Sequence, residues 1–253
     1  MPETLLKVTA LCKTFGAVQA TNNLSFSVTK NHIHALIGPN GAGKTTVVNQ
    51  LSGDILPDSG NILFNGVDIT RLKAYQRARM GIGRSFQITH IFENLTVAEN
   101  MSLAICAHSG HNFKFWRHWR ASSPIKRELA PALEQVDLLH RADLMALHLS
   151  HGEKRQLEVG MAMVGKPKLL ILDEPMAGMG PGGTAELSKL IRKLRGQCTI
   201  LLVEHDMDVV FSLADRLTVL VYGENLATGT PDEIRENPQV RVAYLGEEGE
   251  CSQ

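Results

Sequence analysis

GPNGAGKTT, Gly38 to Thr46, separates the apolar run Ile33 to Ile37 from the stretch VVNQLSG. It fits the pattern GxxxxGK[ST], with Gly38, Gly43, Lys44 and Thr45 in the fixed places. The backbone N–H groups of such a loop turn inward around a phosphate chain, which Gly41 and Gly43 allow without steric penalty. Pro39, Asn40 and Ala42 fill the variable positions and Thr46 the exit. Lys44 brings a point charge to the β and γ phosphates, and the Thr45 hydroxyl can ligate Mg²⁺. A helix starting near Thr45 aims its positive end at the same phosphates. With a strand pattern before it and a helix pattern after it, the stretch predicts a nucleotide-binding loop rather than a chance glycine-rich turn.

A second acidic motif supports this reading. Leu169 to Asp173 is a buried-strand pattern that closes on an acid and is followed at once by Glu174 and Pro175. An aspartate at the end of such a strand can hold the Mg²⁺ that bridges two phosphates, usually through water. Glu174 is then free to orient and partly deprotonate an attacking water. Glu204 and His205 follow the apolar run TILLV, which places His205 at a strand end, where open α/β sheets bind ligands.

Outward from the phosphate loop, the segments LLKVTAL, LSFSV and HIHALI read as strands separated by polar breaks such as TNN. The helix after the loop is expected to run to about Ser52 and stop at Gly53. Gly60 to Ile69 predicts a hairpin, because Asn65 and Gly66 supply a type I′ turn between two apolar arms. Leu72 to Met80 reads as a helix, and GIGRSFQ after it as a short strand ending in a polar switch, Gln87. From Thr96 to about Leu149 the pattern becomes helical, with a capping box at Thr96 and Glu99 and a second start at Ser123 with Pro124 at the first helical position. KLLILDEP, a helix around Thr184 to Leu194, CTILLVEHD, another helix and RLTVLVY complete an alternation of apolar strands and helices. That alternation predicts an α/β fold with a mostly parallel sheet covered on both faces.

Composition narrows the class. Lys+Arg and Asp+Glu are both 26 in 253 residues, so the balance gives no reason to expect attraction to nucleic acid or anionic lipid as a whole. Cys12, Cys106, Cys198 and Cys251 are far apart and show no CxxC spacing, which argues against a zinc site or a disulfide framework and for a reducing compartment. The N-terminal MPETLLKVTA lacks the long apolar core of a signal peptide, and no apolar run approaches the length of a membrane span.

With LSHGEKRQLEVG, Leu149 to Gly160, these motifs resemble the ATP-binding cassette family over nearly the whole chain. The order is that of the family: phosphate loop, glutamine switch at Gln87, signature at Ser150 to Glu153, the pair Asp173 and Glu174, and His205. The resemblance implies a single cassette domain over residues 1–253, with a RecA-like nucleotide-binding core over about 1–87 and 150–253, an N-terminal antiparallel β subdomain and an inserted helical subdomain over about 88–149. It implies ATP and Mg²⁺, with Thr45, Gln87 and Asp173 toward the metal, and an adenine-stacking ring at Phe15. It also implies that Ser150, Gly152 and Glu153 contact the γ-phosphate held by a second cassette in a head-to-tail dimer. Physically, Ser150 offers a hydroxyl donor, Gly152 allows close approach, and a helix beginning near Glu153 adds positive end charge. Two stretches depart from the common form: in the signature His151 and Glu153 replace glycine and glutamine, and in the loop after the acidic pair Gly180 stands where many members have an aspartate.

GIGRSFQITHIFENLTVAEN, EPMAGM, VEHDMDVV and the ending GTPDEIRENPQVRVAYLG look like the ATPase subunits of uptake systems for branched-chain amino acids, urea and short amides. Lipopolysaccharide-export ATPases share parts of the pattern and are the nearest rival. The resemblance implies a peripheral protein on the cytoplasmic face of the inner or plasma membrane, joined to permease subunits and indirectly to a solute-binding protein, with no nucleic-acid partner. HSGHNFKFWRHWRASSPIKR, His108 to Arg127, is the least typical stretch and reads as a partly solvated connection, with a membrane-side surface as the second reading. A soluble cassette ATPase usually carries two cassettes or a coiled-coil insertion, and a phosphate-loop GTPase needs NKxD. The chain has neither a heptad run nor NKxD.

Overall fold

In chain order the strands are β1 (Thr4–Phe15), β2 (Val18–Thr29), β3 (Ile33–Ile37), β4 (Ser59–Phe64), β5 (Val67–Asp68), β6 (Ile82–Ser85), β7 (Leu169–Asp173), β8 (Thr199–Val203), β9 (Arg216–Val221) and β10 (Glu224–Gly229). The helices are α1 (Lys44–Ser52), α2 (Ala74–Met80), α3 (Val97–His108), α4 (Ser123–Gln135), α5 (His151–Met163), α6 (Pro181–Leu194), α7 (Met207–Leu213), α8 (Pro231–Glu236) and α9 (Pro238–Glu248). They come from a computed structural model that describes residues 3–85, 91–108 and 123–248.

Two sheets carry the fold. The larger runs β10-β9-β3-β8-β7-β6 and is parallel except for β10, which pairs antiparallel with β9. The smaller, β2-β1-β4-β5, is antiparallel throughout. The expected mostly parallel core with an antiparallel β portion is therefore what the chain forms.

The continuous apolar runs have a packing reason. β3, β7 and β8 are buried at every position. Alternate residues of β7 and β8 serve opposite faces. Leu169, Ile171, Leu201 and Val203 pack with α1 and the antiparallel sheet, through Val47, Val48, Phe26 and Phe64. Leu170, Leu172, Ile200 and Leu202 pack with α5 and α6, through Leu157, Leu187 and Ile191. Strands covered on both sides cannot alternate apolar with polar residues. Each fully buried aliphatic side chain in such a core contributes about 1.5–3 kcal/mol of transfer free energy.

Local signals place the turns. Asn65 and Gly66, at φ 49° and 78°, make the β4–β5 turn, and α1 stops at Gly53 in the left-handed region, as the sequence predicts. The capping box at Thr96 is formed: Thr96 N–H donates to Glu99 Oε2 at 2.9 Å and Glu99 N–H to Thr96 Oγ1 at 3.1 Å. One expectation is corrected: Thr21, Asn22 and Asn23 do not end a strand but lie inside β2. Asn23 at φ 49° and a register shift across the pair with β1 absorb the polar triplet as an irregularity in a longer ribbon.

His34 on β3 is buried, and its Nε2 lies 2.8 Å from Thr218 Oγ1 on β9. Burial, with Arg216 and His32 nearby, lowers its pKa to about 4. The folded state thus resists a proton that the unfolded chain accepts from about pH 6.5 downward, so stability is present above that pH and is lost as the pH falls toward 4. Between pH 7 and pH 5 the loss from this group is about 2 kcal/mol. Urea unfolding at the two pH values is expected to show a smaller difference for His34→Gln than for the native chain.

Candidate active site

The parallel strands of the larger sheet point the same way, so their C-terminal ends share one edge, where such sheets bind ligands. The ladder sets the level. Leu36 pairs with Val203, and Val203 pairs with Asp173. The phosphate loop after β3, Glu174 after β7 and His205 after β8 therefore leave adjacent strands within one or two residues of the same height. β6 completes the edge with Ser85 opposite Leu172. Gln87 lies outside the described residues.

The loop is already folded around its lysine. Lys44 is 6% exposed, and its Nζ donates to Gly38 O at 2.6 Å and Pro39 O at 3.0 Å. Gly43 has φ 102°, and a Cβ there would overlap the Ala20 carbonyl oxygen, so only glycine fits. Gly223 N–H donates to Ala42 O at 2.9 Å and braces the loop from the β9–β10 turn. α1 has no side-chain N-cap, which leaves its first-turn N–H groups available to an anion. Asn40, Gly41 and Thr45 are exposed, while Gly38, Ala42 and Lys44 are buried; Pro39, Gly43 and Thr46 lie between.

Asp173 is 2% exposed and pairs with Arg84 of β6, Nη2 to Oδ2 at 3.1 Å. Burial raises its pKa; the Arg84 and Lys44 charges oppose that rise and Glu174 adds to it. Glu174 has φ 46°, uncommon for a residue with a side chain, and its N–H donates to Val203 O at 2.9 Å. Strain of this kind persists only where neighbours impose it, and it clusters at functional sites. His205 is exposed next to the buried Glu204.

Phe15 ends β1 at the hairpin into β2, facing Val18, and is 46% exposed, so it is not a core aromatic. Lys13 Nζ stands 5.5 Å from its ring centroid and is itself held by Asp58 at 2.7 Å. The strand that leaves this hairpin reaches the phosphate loop at Ala20, whose carbonyl closes on Gly43.

The signature differs in detail from expectation. α5 begins at His151 with Ser150 as its N-cap, so Glu153 is in the first turn rather than at the start. Glu153 N–H donates to Ser150 Oγ at 3.2 Å, and Glu153 Oε2 accepts from Ser150 N–H at 2.8 Å, a reciprocal capping box. Glu153 Oε1 also accepts from Arg141 Nε at 2.9 Å. Burial works against its charge, but the bonds from Ser150 and the Arg141 guanidinium outweigh it and hold the pKa below the ordinary value. The added acid is thus spent on the helix it starts. Gly152 faces Gly183 at the start of α6. Ser150→Ala is expected to cost about 1 kcal/mol of stability, read as a lower urea midpoint at unchanged slope.

Sequence reading gave no role to Arg84 or Glu204. Arg84 also donates to Asn49 Oδ1 at 2.8 Å, Ser52 Oγ at 3.1 Å and Asp54 Oδ2 at 2.8 Å, which ties the end of α1 to Asp173. A guanidinium inside a strand otherwise rich in small and apolar residues was the available signal.

Comparison with known proteins agrees with this geometry. Residues 21–177 match the family described as ABC transporter, and residues 224–250 match the one described as branched-chain amino acid ATP-binding cassette transporter. The chain is 44% identical, over 98% of its length and 100% of the relative's, to the high-affinity branched-chain amino acid transport ATP-binding protein LivG of Salmonella typhimurium. It is 40% identical, with the same coverage, to BraF of Pseudomonas aeruginosa, which bears the same description. The lipopolysaccharide export system ATP-binding protein LptB of Haemophilus influenzae is 32% identical, over 96% of this chain and 98% of that one. Among solved structures, the ADP conformation of an ATP-binding cassette of an ABC transporter superposes with a TM-score of 0.84 at 29% identity, covering 96% of this chain and 99% of that one. Motif order, strand-end geometry and these likenesses agree: the chain belongs to the ABC transporter family as an ATP-binding cassette.

Proposed function

We propose that this cassette hydrolyses ATP to drive uptake of branched-chain amino acids through a separate permease. The observation that carries the reading is the shared strand-end level of the phosphate loop, Glu174 and His205, beside a C-terminal segment of the branched-chain amino acid type. The reading assigns the membrane path to permease subunits and the cassette to a peripheral place on the cytoplasmic side; among the described residues no helix is long and apolar enough to cross a membrane. A second cassette, identical or related, supplies Ser150 and Gly152 to the γ-phosphate across a head-to-tail dimer. α3 and α4 belong to the helical subdomain of this unit, which faces the permease.

In this reading the N–H groups of the phosphate loop and Lys44 bind the phosphates and stabilise charge as it develops on them. Phe15 stacks on the base, Glu174 accepts the proton of the attacking water, and His205 contacts the γ-phosphate. The Thr45 hydroxyl and the Asp173 carboxylate are hard oxygen donors of the kind Mg²⁺ prefers, with Gln87 as a further oxygen ligand. Bound there, Mg²⁺ would neutralise charge on the β and γ phosphates. His151 and Gly180 change the edges of the dimer contact without removing these groups.

The test is purification of the tagged chain from native membranes in mild detergent, with mass spectrometry of what co-elutes. The expected result is two multi-span permease chains and a second cassette. A lipopolysaccharide-transport assembly, ribosomal proteins or the chain alone would contradict the reading.

A further inference from the structure

Glu204 is fully buried at the active-site edge, and the chemistry described so far does not use it. It follows β8 as Glu174 follows β7, and because Asp173 and Val203 are paired, the two glutamates occupy the same level of neighbouring strands. Its carboxylate is satisfied by main chain. Oε1 accepts from Met176 N–H at 2.8 Å, and Oε2 accepts from His205 N–H at 3.2 Å. Met176 belongs to the loop that leaves Glu174, where Ala177 N–H closes a turn on Glu174 O at 3.2 Å. One side chain therefore fastens both the loop carrying the water-activating acid and the residue that meets the γ-phosphate.

The environment makes this arrangement costly, which argues that it is not incidental packing. Burial and the charge of Glu174 both raise the pKa of Glu204, and the His205 ring stands beside it, Nδ1 at 3.8 Å from Oε2. An apolar residue in its place would leave the N–H groups of Met176 and His205 without these acceptors, so the acid fixes where both stand. The φ of 46° at Glu174 points the same way, since a residue in that conformation needs its following loop fixed from outside.

We propose that Glu204 is a positioning residue that sets the spacing and orientation of Glu174 and His205 for hydrolysis, by binding Met176 and His205 through their main-chain N–H groups. This rests on the roles given above to Glu174 and His205. Displacements of about 1 Å from productive geometry can cost about a hundredfold in rate without touching binding, so turnover is the quantity that should respond.

The experiment measures kcat, KM and the ATP dissociation constant of Glu204→Ala and Glu204→Gln in the full chain, with Glu174→Gln as the reference and thermal unfolding as the fold control. Glu204→Ala is expected to lower kcat by about tenfold or more while KM and ATP affinity hold, with a lower unfolding midpoint from the Met176 N–H it leaves unpaired. Glu204→Gln keeps one acceptor and is expected to fall between the two. Wild-type kcat in Glu204→Ala, or an equal loss of ATP affinity and turnover, would overturn the inference. If Glu204→Ala does not fold, Glu204→Gln decides: reduced kcat at native affinity supports the role, and wild-type kcat refutes it. Normal hydrolysis by Glu174→Gln would instead overturn the active-site reading itself, and the inference with it.

Discussion

Glu174→Gln is expected to bind ATP normally and fail to hydrolyse it. The substitution keeps the size and the left-handed backbone of a residue at φ 46°, so the loop that closes through Ala177 is not disturbed. It removes the one function assigned to the side chain, acceptance of a proton from water. Loss of a general base lowers turnover by about 10²–10⁴-fold. Because the phosphates are held by the loop on β3 and not by Glu174, the ATP dissociation constant should stay within about twofold. Single-turnover hydrolysis and equilibrium ATP binding on the same preparation check both halves. Normal hydrolysis would remove Glu174 from its role, and lost binding would mean that it acts on the nucleotide and not on water.

Lys44→Ala is expected to act on binding. The ammonium sits 6% exposed in the loop and donates to the Gly38 and Pro39 carbonyls, so its loss removes a charge from the phosphate site and two hydrogen bonds from the loop. A hydrogen bond to a charged group contributes about 1.5–3 kcal/mol, which corresponds to a rise of about 10- to 100-fold in the ATP dissociation constant. Lys44→Met, which keeps the apolar stem, separates the lost charge from a collapsed loop. Both variants should bind weakly, and an unchanged dissociation constant in either would contradict the phosphate-loop assignment. The contrast between Lys44 and Glu174, one moving affinity and the other turnover, is a sharper statement than either result alone.

The features legible in the sequence were local ones. The phosphate loop, the Asn65-Gly66 turn, the stop at Gly53 and the Thr96 capping box are each written within a few consecutive residues, and each formed where expected. Continuous apolar runs announced the strands because burial on both faces leaves no polar alternation. Errors arose where two local signals competed. The glycines at 182 and 183 hid the first turn of α6, which starts at Pro181, a residue preorganised for that position. The reciprocal bonds of Ser150 and Glu153 moved the start of α5 to His151. What could not be read were contacts between residues distant in sequence. Arg84 reaches Asp173 across 89 positions and Glu204 reaches Met176 across 28, and each partner becomes evident only once parallel strands are laid side by side. Phe15, as an exposed hairpin aromatic, needed the fold to separate it from a core residue.

Whether ATP hydrolysis by this chain drives the proposed uptake of branched-chain amino acids is decided by radiolabelled leucine uptake in a strain deleted for the gene and supplied with either the native chain or Glu174→Gln. Uptake restored by the native chain and not by the variant, with urea uptake unaffected in both, is the predicted result. Leucine uptake that is unchanged by the deletion, or restored equally by both chains, would rule out that coupling.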